Sequence, residues 1–320
     1  MINKEQLDIH KNEMLGKISE MNPLVLGDFP VENYLSKITS YPEFFDYSYL
    51  CSKLKKVFKQ IKKRFGSDAL RLYHRLALSS LLSDSVEAIK TKNFPEDILN
   101  LYREWYERIL EDLSTQPSQY YDHENDEFLK DLAICSFRAI PVGGAWIIAI
   151  SQTTEKPFFF DRLRRGWNCV KTILLKFSFF EYLLSFSTKV GVHKAYYEIH
   201  TVDRYLPRFT PGELLKAYVR ISEMLKLKPS IKGLYRCSWF LDPKMEHLSP
   251  HLTFLRKIPE QNGAAVFRVG VYESDIRRSI SMSAERRRHY EEGKYIPTRY
   301  AYIWPREKLI EWADKKGHSG

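Results

Sequence analysis

The sequence predicts an α/β protein of the α+β kind, with a mixed sheet in the C-terminal two thirds, flanking helices and a helical N-terminal region. Three observations predict it. Apolar residues recur at helical spacing through the first third of the chain. Short β-prone runs bounded by turn residues begin after Asp131. Residues 195–241 read as strand, helix, strand, the order of a βαβ unit. A chain of 320 residues with 44% apolar content is long enough to bury one large core or two modest ones.

The elements follow in order. Across residues 53–65, Leu54, Val57, Phe58, Ile61 and Phe65 form an apolar stripe, while Lys55, Lys56, Lys59, Lys62 and Lys63 occupy other faces. Residues 68–89 and 95–113 continue the helical pattern, the second with Pro95 in its first turn. The polar segment 114–126 interrupts the pattern and places a boundary there. The division expected is a helical region, 1–120, either a separate domain or a cover on the rest, and an α/β domain, 121–320. Residues 131–150 mix β-formers with the break Pro141-Val142-Gly143-Gly144, which predicts strand, turn and a second strand, 145–150. A long apolar helix, 166–186, follows the basic cluster Arg162, Arg164 and Arg165. It carries Lys176 and Glu181, and its apolar run is too short to cross a bilayer.

Residues 195–200 predict a strand and 211–227 a helix, with Thr210 as cap and Glu213 at the capping-box position. Pro229 and Gly233 end that helix, 234–241 is the next strand, and Asp242-Pro243 turns the chain. A short helix at 250–257, a strand at 264–271, a charged helix at 284–292, a strand at 299–304 and a final helix at 305–312 complete the chain.

Bulk properties narrow the function. No uninterrupted hydrophobic block opens the chain, so no export signal is read and a cytoplasmic location is expected. The four cysteines, Cys51, Cys135, Cys169 and Cys237, show no Cys-x-x-Cys spacing and predict reduced thiols rather than a zinc knuckle or disulfide framework. A net charge of +10 would attract phosphates, nucleic acid or an anionic membrane face, and so favours an anionic ligand such as a phosphorylated cofactor. The P-loop and Rossmann glycine patterns are absent, as is the Gly-x-Ser-x-Gly elbow, which removes nucleotide hydrolysis, dinucleotide redox chemistry and serine hydrolysis.

Candidate site residues concentrate in 193–243. His200 and Asp203 follow a strand end, where α/β proteins present ligands. His200 suits a general base, with Asp203 or Glu198 fixing its tautomer; local hydrogen bonding in a loop is the alternative. His200, Asp203 and His247 or His251 could instead ligate a metal, as in a mononuclear metal-dependent oxygenase. Ser238 and Asp242 sit with Trp239 and Phe240 at the next strand end and would line an acceptor pocket, or the aromatics fill core and Asp242 makes a turn. Alternation puts Ser238, Phe240 and Asp242 on one side and Cys237, Trp239 and Leu241 on the other. Cys237 is a nucleophile only if Arg236 lowers its pKa; a buried thiol is the alternative. Backbone amides of Gly143 and Gly144, beside Arg138, could cradle a phosphate, or make an ordinary hairpin turn. Basic runs at 53–64, 162–165, Arg277-Arg278 and Arg286-Arg287-Arg288 could meet a phosphate backbone, or merely solvate a surface, leaving a non-catalytic RNA-binding or scaffold protein as a further alternative.

From Ala195 onward the element order resembles the carboxyl half of the GNAT superfamily of acyltransferases: strand, helix, strand, then a helix running through Asn262-Gly263-Ala264 into another strand. The family's Gln/Arg-x-x-Gly-x-Gly/Ala pyrophosphate loop is approached by residues 138–145, with two residues more before the first glycine. The resemblance implies transfer of an acyl or aminoacyl group to an amine or hydroxyl, from acyl-CoA or, in members that dispense with the loop, from aminoacyl-tRNA. No metal is expected.

Overall fold

The structure is a computed structural model that describes residues 4–21, 24–39, 47–48, 50, 52–152 and 195–317. The helix expected at 166–186, the cluster Arg162, Arg164 and Arg165, and residues Cys51, Cys169 and His193 lie outside them. The chain is a mixed α/β protein and divides into two compact units, Met1–Ile150 with His200–Phe209, and Ser151–Ile199 with Thr210–Gly320. Among the described residues no helix is long and apolar enough to cross a membrane.

The first unit is mostly helical: α1 (Lys4–Met21), α2 (Leu24–Asp28), α3 (Val31–Thr39), α4 (Ser52–Ala88), α5 (Glu96–Thr115) and α6 (Asp126–Cys135). The two helices expected at 53–65 and 68–89 lie end to end in α4, broken at Gly66 by a φ of 90°. Leu54, Phe58 and Ile61 face the core, as their spacing requires. Pro95 is the N-cap of α5 rather than a first-turn residue. Helix α6 corrects the reading of 131–150, because residues through Cys135 are helical and the first strand starts at Ala139. Every residue from Phe128 to Cys135 is buried, so no polar face displays the helical period. Asn125 starts the helix by accepting the Glu127 N–H at 3.1 Å. Phe137, at φ 56°, ends it: the Arg138 N–H donates to the Ala133 carbonyl at 2.8 Å and the Phe137 N–H to that of Ile134 at 3.1 Å. Strands β1 (Ala139–Gly143) and β2 (Trp146–Gln152) then form the expected hairpin, with Gly143 opposite Trp146.

His74 sits at the centre of this unit, fully buried among Tyr34, Phe58, His123 and Phe128, with the Tyr34 hydroxyl 3.3 Å from Nδ1. Burial, helped by the neighbouring His123, pulls its pKa down to about 3. The unfolded ring titrates near ~6.5. Below that value the unfolded state takes up a proton that the native state refuses. Stability is therefore complete above about pH 6.5 and falls by roughly 1.4 kcal/mol per unit as the pH drops towards 3. Urea unfolding of His74→Phe between pH 6 and 4 is expected to show a flatter dependence than the native chain; parallel curves would refute it.

The second unit holds β3 (Ala195–Thr201, of which residues through Ile199 belong here), α7 (Pro211–Leu227), β4 (Gly233–Ser238), α8 (Met245–Leu248), α9 (Phe254–Gln261), β5 (Ala265–Gly270), α10 (Glu273–Ser281), α11 (Ala284–Glu291), β6 (Arg299–Pro305) and α12 (Arg306–Gly317). Helix α10 was not read from the sequence. Thr210 caps α7 as expected, accepting the Glu213 N–H at 3.3 Å. The strand order is β3-β4-β6-β5, with β3 and β4 parallel and the other neighbours antiparallel. Side chains alternate across this sheet. One face gathers Tyr196, Tyr235, Phe267, Val269, Ala301 and Ile303, with Cys237 against them. The opposite face presents Trp304, packed with Tyr218 of α7 and Trp312 of α12 at ring separations of 5.2 and 5.3 Å.

Candidate functional site

Among the described residues the parallel register of β3 and β4 lies at the amino-terminal end of the pair. The Lys232 N–H donates to the Ala195 carbonyl at 2.9 Å, and the register holds for Tyr197 opposite Leu234 and Glu198 opposite Tyr235, then stops. From there β4 continues along β6 through Arg236, Cys237 and Ser238, opposite Tyr302, Ala301 and Tyr300. The carboxyl ends of two adjacent parallel strands are where open α/β sheets receive ligands.

Directly after Ile199, His200 belongs to the first unit. Its ring meets the Tyr47 ring edge-on, centroids 4.6 Å apart. The Tyr47 hydroxyl donates to Asp126 Oδ1 at 2.6 Å, and Lys130 Nζ bridges Asp126 and Glu127, 2.7 Å from each. Glu127 in turn accepts the backbone N–H of Asp203 at 3.2 Å. Burial raises the Asp126 carboxyl, but Lys130, the Tyr47 hydroxyl and His200 outweigh it and hold the group below the ordinary carboxylate range. The His200 Nε2 atom is shielded from water and has no hydrogen-bond partner among the described residues. An imidazole nitrogen can take or give a proton in catalysis, and that is the chemistry this position offers.

The turn that follows, Asp203–Arg208, is fastened to α5 and α6 by a buried ionic cluster. Arg108 bonds Asp131 through both terminal nitrogens and Asp112 at 2.7 Å; Tyr120 donates to Asp131 at 2.5 Å. Arg204 reaches from the turn to Asp112, which also accepts from Gln116 at 2.9 Å. Burial alone would raise the Asp112 carboxyl; Gln116, Arg204 and Arg108 hold it below its ordinary value. The Val202 N–H meets the Ala145 carbonyl at 2.9 Å, and the Phe209 ring lies 4.6 Å from that of Trp146.

Sequence reasoning missed Tyr47, Asp126, Glu127 and Lys130. The cap Asn125 followed by two acidic residues was the available signal.

No family model matches this chain, and none of the curated proteins matches it. Among solved structures, an acyltransferase in complex with decanoyl-CoA is 12% identical, with a TM-score of 0.49 over 86% of this chain and 76% of that one. An acyltransferase in complex with CoA and 10C-teicoplanin is 10% identical, with a TM-score of 0.47 over 85% of this chain and 87% of that one. At these values neither a family nor an activity passes to this chain.

The remaining sequence candidates have local roles. Strand β4 ends at Ser238 rather than at Leu241, because the Ser238 hydroxyl accepts the Phe240 N–H at 3.2 Å and Trp239–Leu241 form a turn. The alternation expected through Asp242 therefore stops at Ser238. Asp242 ties that turn to the segment before β6, accepting the N–H groups of Lys244 at 3.0 Å and Thr298 at 3.3 Å. Burial pushes its pKa up, with these amides and Lys244 acting against the rise. Arg236 and Cys237 point to opposite faces: Cys237 packs on the Tyr235 face, while the Arg236 guanidinium lies against Tyr302 and Tyr218. Gly143 and Gly144, at φ 129° and 45°, make the hairpin turn, and Arg138 closes the end of α6 through its backbone. Gly144 also borders a cavity of about 310 Å³ lined by Glu104, Glu107, Trp105, Tyr205, Leu101 and Arg208. His247 and His251 belong to the second unit, and among the described residues no three His, Cys, Asp or Glu gather to hold a metal ion.

Proposed function

We propose that the chain transfers an acyl group from a thioester donor to an amine or hydroxyl acceptor, the donor leaving as its free thiol, with His200 taking the acceptor's proton and returning it to the departing sulfur, and Asp203 belonging to the loop that steadies it. The observation that carries the reading is the parallel register of β3 and β4, which ends after Glu198 and Tyr235. A donor arm with amides in series, such as the pantetheine of acyl-CoA, suits strand edges leaving one another, because its groups can bond the strands as a further strand would. His200 follows directly on β3, and its buried, unpartnered Nε2 supports the role of base. Arg138, Gly143 and Gly144 are the residues assigned to the donor's phosphates, and Ser238 and Asp242 to the acceptor.

The test is a thermal-shift series with acyl-CoA esters of increasing chain length and, in a separate arm, a charged tRNA. One acyl-CoA at a hundred times its Kd is expected to stabilise the protein by about 2.7 kcal/mol. His200→Ala should keep that stabilisation while turnover falls by roughly 10²–10⁴. Protection by the charged tRNA alone would move the donor to an aminoacyl group; protection by neither would sink the proposal.

A further inference from the structure

The first half of α4 carries a charge arrangement that neither the fold nor the proposed reaction uses. Between Ser52 and Gly66 it holds Lys53, Lys55, Lys56, Lys59, Lys62, Lys63 and Arg64, and no acidic residue. Its apolar side is already occupied, with Leu54, Phe58 and Ile61 buried. Arg64 is engaged, 2.5 Å from Asp28 and over the Phe65 ring. The six lysines are exposed, and among the described residues none has an ion-pair or hydrogen-bond partner.

Helical geometry concentrates them. At 3.6 residues per turn, Lys55, Lys56, Lys59, Lys62 and Lys63 fall within an arc of about 120°, and a rise of 1.5 Å per residue spreads them over about 12 Å. Lys59 has a like charge four residues before it, three before, three after and four after, each of which weakens a helix. No carboxylate in the same half-helix offsets this repulsion, and an anionic partner would relieve it.

We propose that this face binds the phosphate backbone of a nucleic acid without regard to sequence. A duplex carries one negative charge per about 1.7 Å of axis, so about 12 Å of it shows roughly seven phosphates, a charge density of the same order as the five lysines. Lysine meets a phosphate as a point charge, whereas base reading relies on the forked or bidentate contacts of Arg, Asn and Gln. A lipid surface fits less well: a helix lying on a bilayer inserts its apolar face, and here that face is buried in the protein. None of the exposed large apolar residues lies between positions 52 and 66.

The test measures anisotropy of a labelled 20-base-pair DNA duplex with the intact protein between 50 and 200 mM salt. Five phosphate contacts give a slope of log affinity against log salt near about −4.5, roughly a 500-fold weakening over that range. A duplex of unrelated sequence should give the same values. Replacing Lys59, Lys62 and Lys63 together with glutamine leaves two contacts and a slope near about −1.8. The thermal midpoint should stay unchanged or rise, since the repulsion is relieved. Replacing the ion-paired Lys216, Lys308 and Lys315 in the same way should leave the slope alone. Absence of binding at 50 mM, a slope flatter than about −2 in the native protein, or a slope untouched by the triple replacement each overturns the proposal. So does affinity for vesicles containing phosphatidylserine with none for the duplex.

Discussion

Asp131→Ala is expected to lower stability by about 3–5 kcal/mol, read from urea unfolding midpoints. The Asp131 side chain is 1% exposed and takes both terminal nitrogens of Arg108, whose own side chain is only 15% exposed. Removing the carboxylate leaves a guanidinium in the interior with Asp112 as its remaining anion, and strips Tyr120 of its acceptor. The cost is that of the stranded charge, so it should shrink when the charge goes too. The double replacement Arg108→Met with Asp131→Leu should recover a large part of the loss, because well-packed apolar side chains often equal a buried pair. A loss below about 1 kcal/mol for Asp131→Ala would mean that water reaches Arg108 freely. Thermal midpoints of Arg204→Ala should fall less, as the Arg204 side chain is 23% exposed and makes a single contact with Asp112.

A second large effect is expected at Gly233, the first residue of β4. Its φ is 148°, and a Cβ there would lie 2.2 Å from the Trp304 carbonyl oxygen and 3.0 Å from the Arg306 nitrogen. Both are backbone atoms, one in the antiparallel neighbour β6 and one in the first residue of α12, so neither can swing aside as a side chain would. Gly233→Ala should therefore cost more than about 4 kcal/mol or prevent folding, and it should loosen the β3–β4 junction, since Leu234 is the next residue in the parallel register. Gly212, near the start of α7, provides the control: nothing lies within 4 Å of its Cβ position, and alanine there should stabilise by about 0.5–1 kcal/mol. Circular dichroism melts of the two variants decide it, and a Gly233→Ala midpoint near the native one would refute the argument.

The contrast between α7 and α6 shows what the chain discloses. Helix α7 was legible to within a residue because its polar and apolar faces differ, and because Thr210 and Pro211 announce its start. Helix α6 was missed because its residues from Phe128 to Cys135 are all buried, leaving no period to read. The end of β4 was misplaced for a local reason. The run from Leu234 to Leu241 has strand composition throughout, and it turns where the Phe240 amide donates to the Ser238 hydroxyl and the Asp242 amide to the Trp239 carbonyl. At the candidate site, His200 was visible as a polar residue after a β-prone run. Its neighbours were not, since Tyr47 comes from a distant part of the chain and Asp126 and Lys130 from the helix that was missed. The opening of β3 from β4 is a property of register, which depends on pairing across 37 residues and leaves no mark in either strand alone.

The segment His200–Phe209 has a consequence for anyone mapping this protein by deletion. Its ten residues lie in the middle of the second unit's stretch of chain, yet they complete the first. Cutting after residue 150 would leave Asp112 without Arg204, the Ala145 carbonyl without the Val202 amide, and Trp146 without the ring of Phe209. A truncation series would then register damage to the amino-terminal half and assign it to the loss of the carboxyl-terminal half. Swapping homologous halves at that point would combine 1–150 of one protein with 200–209 of the other, so a chimaera that preserves the first unit has to move 200–209 along with 1–150.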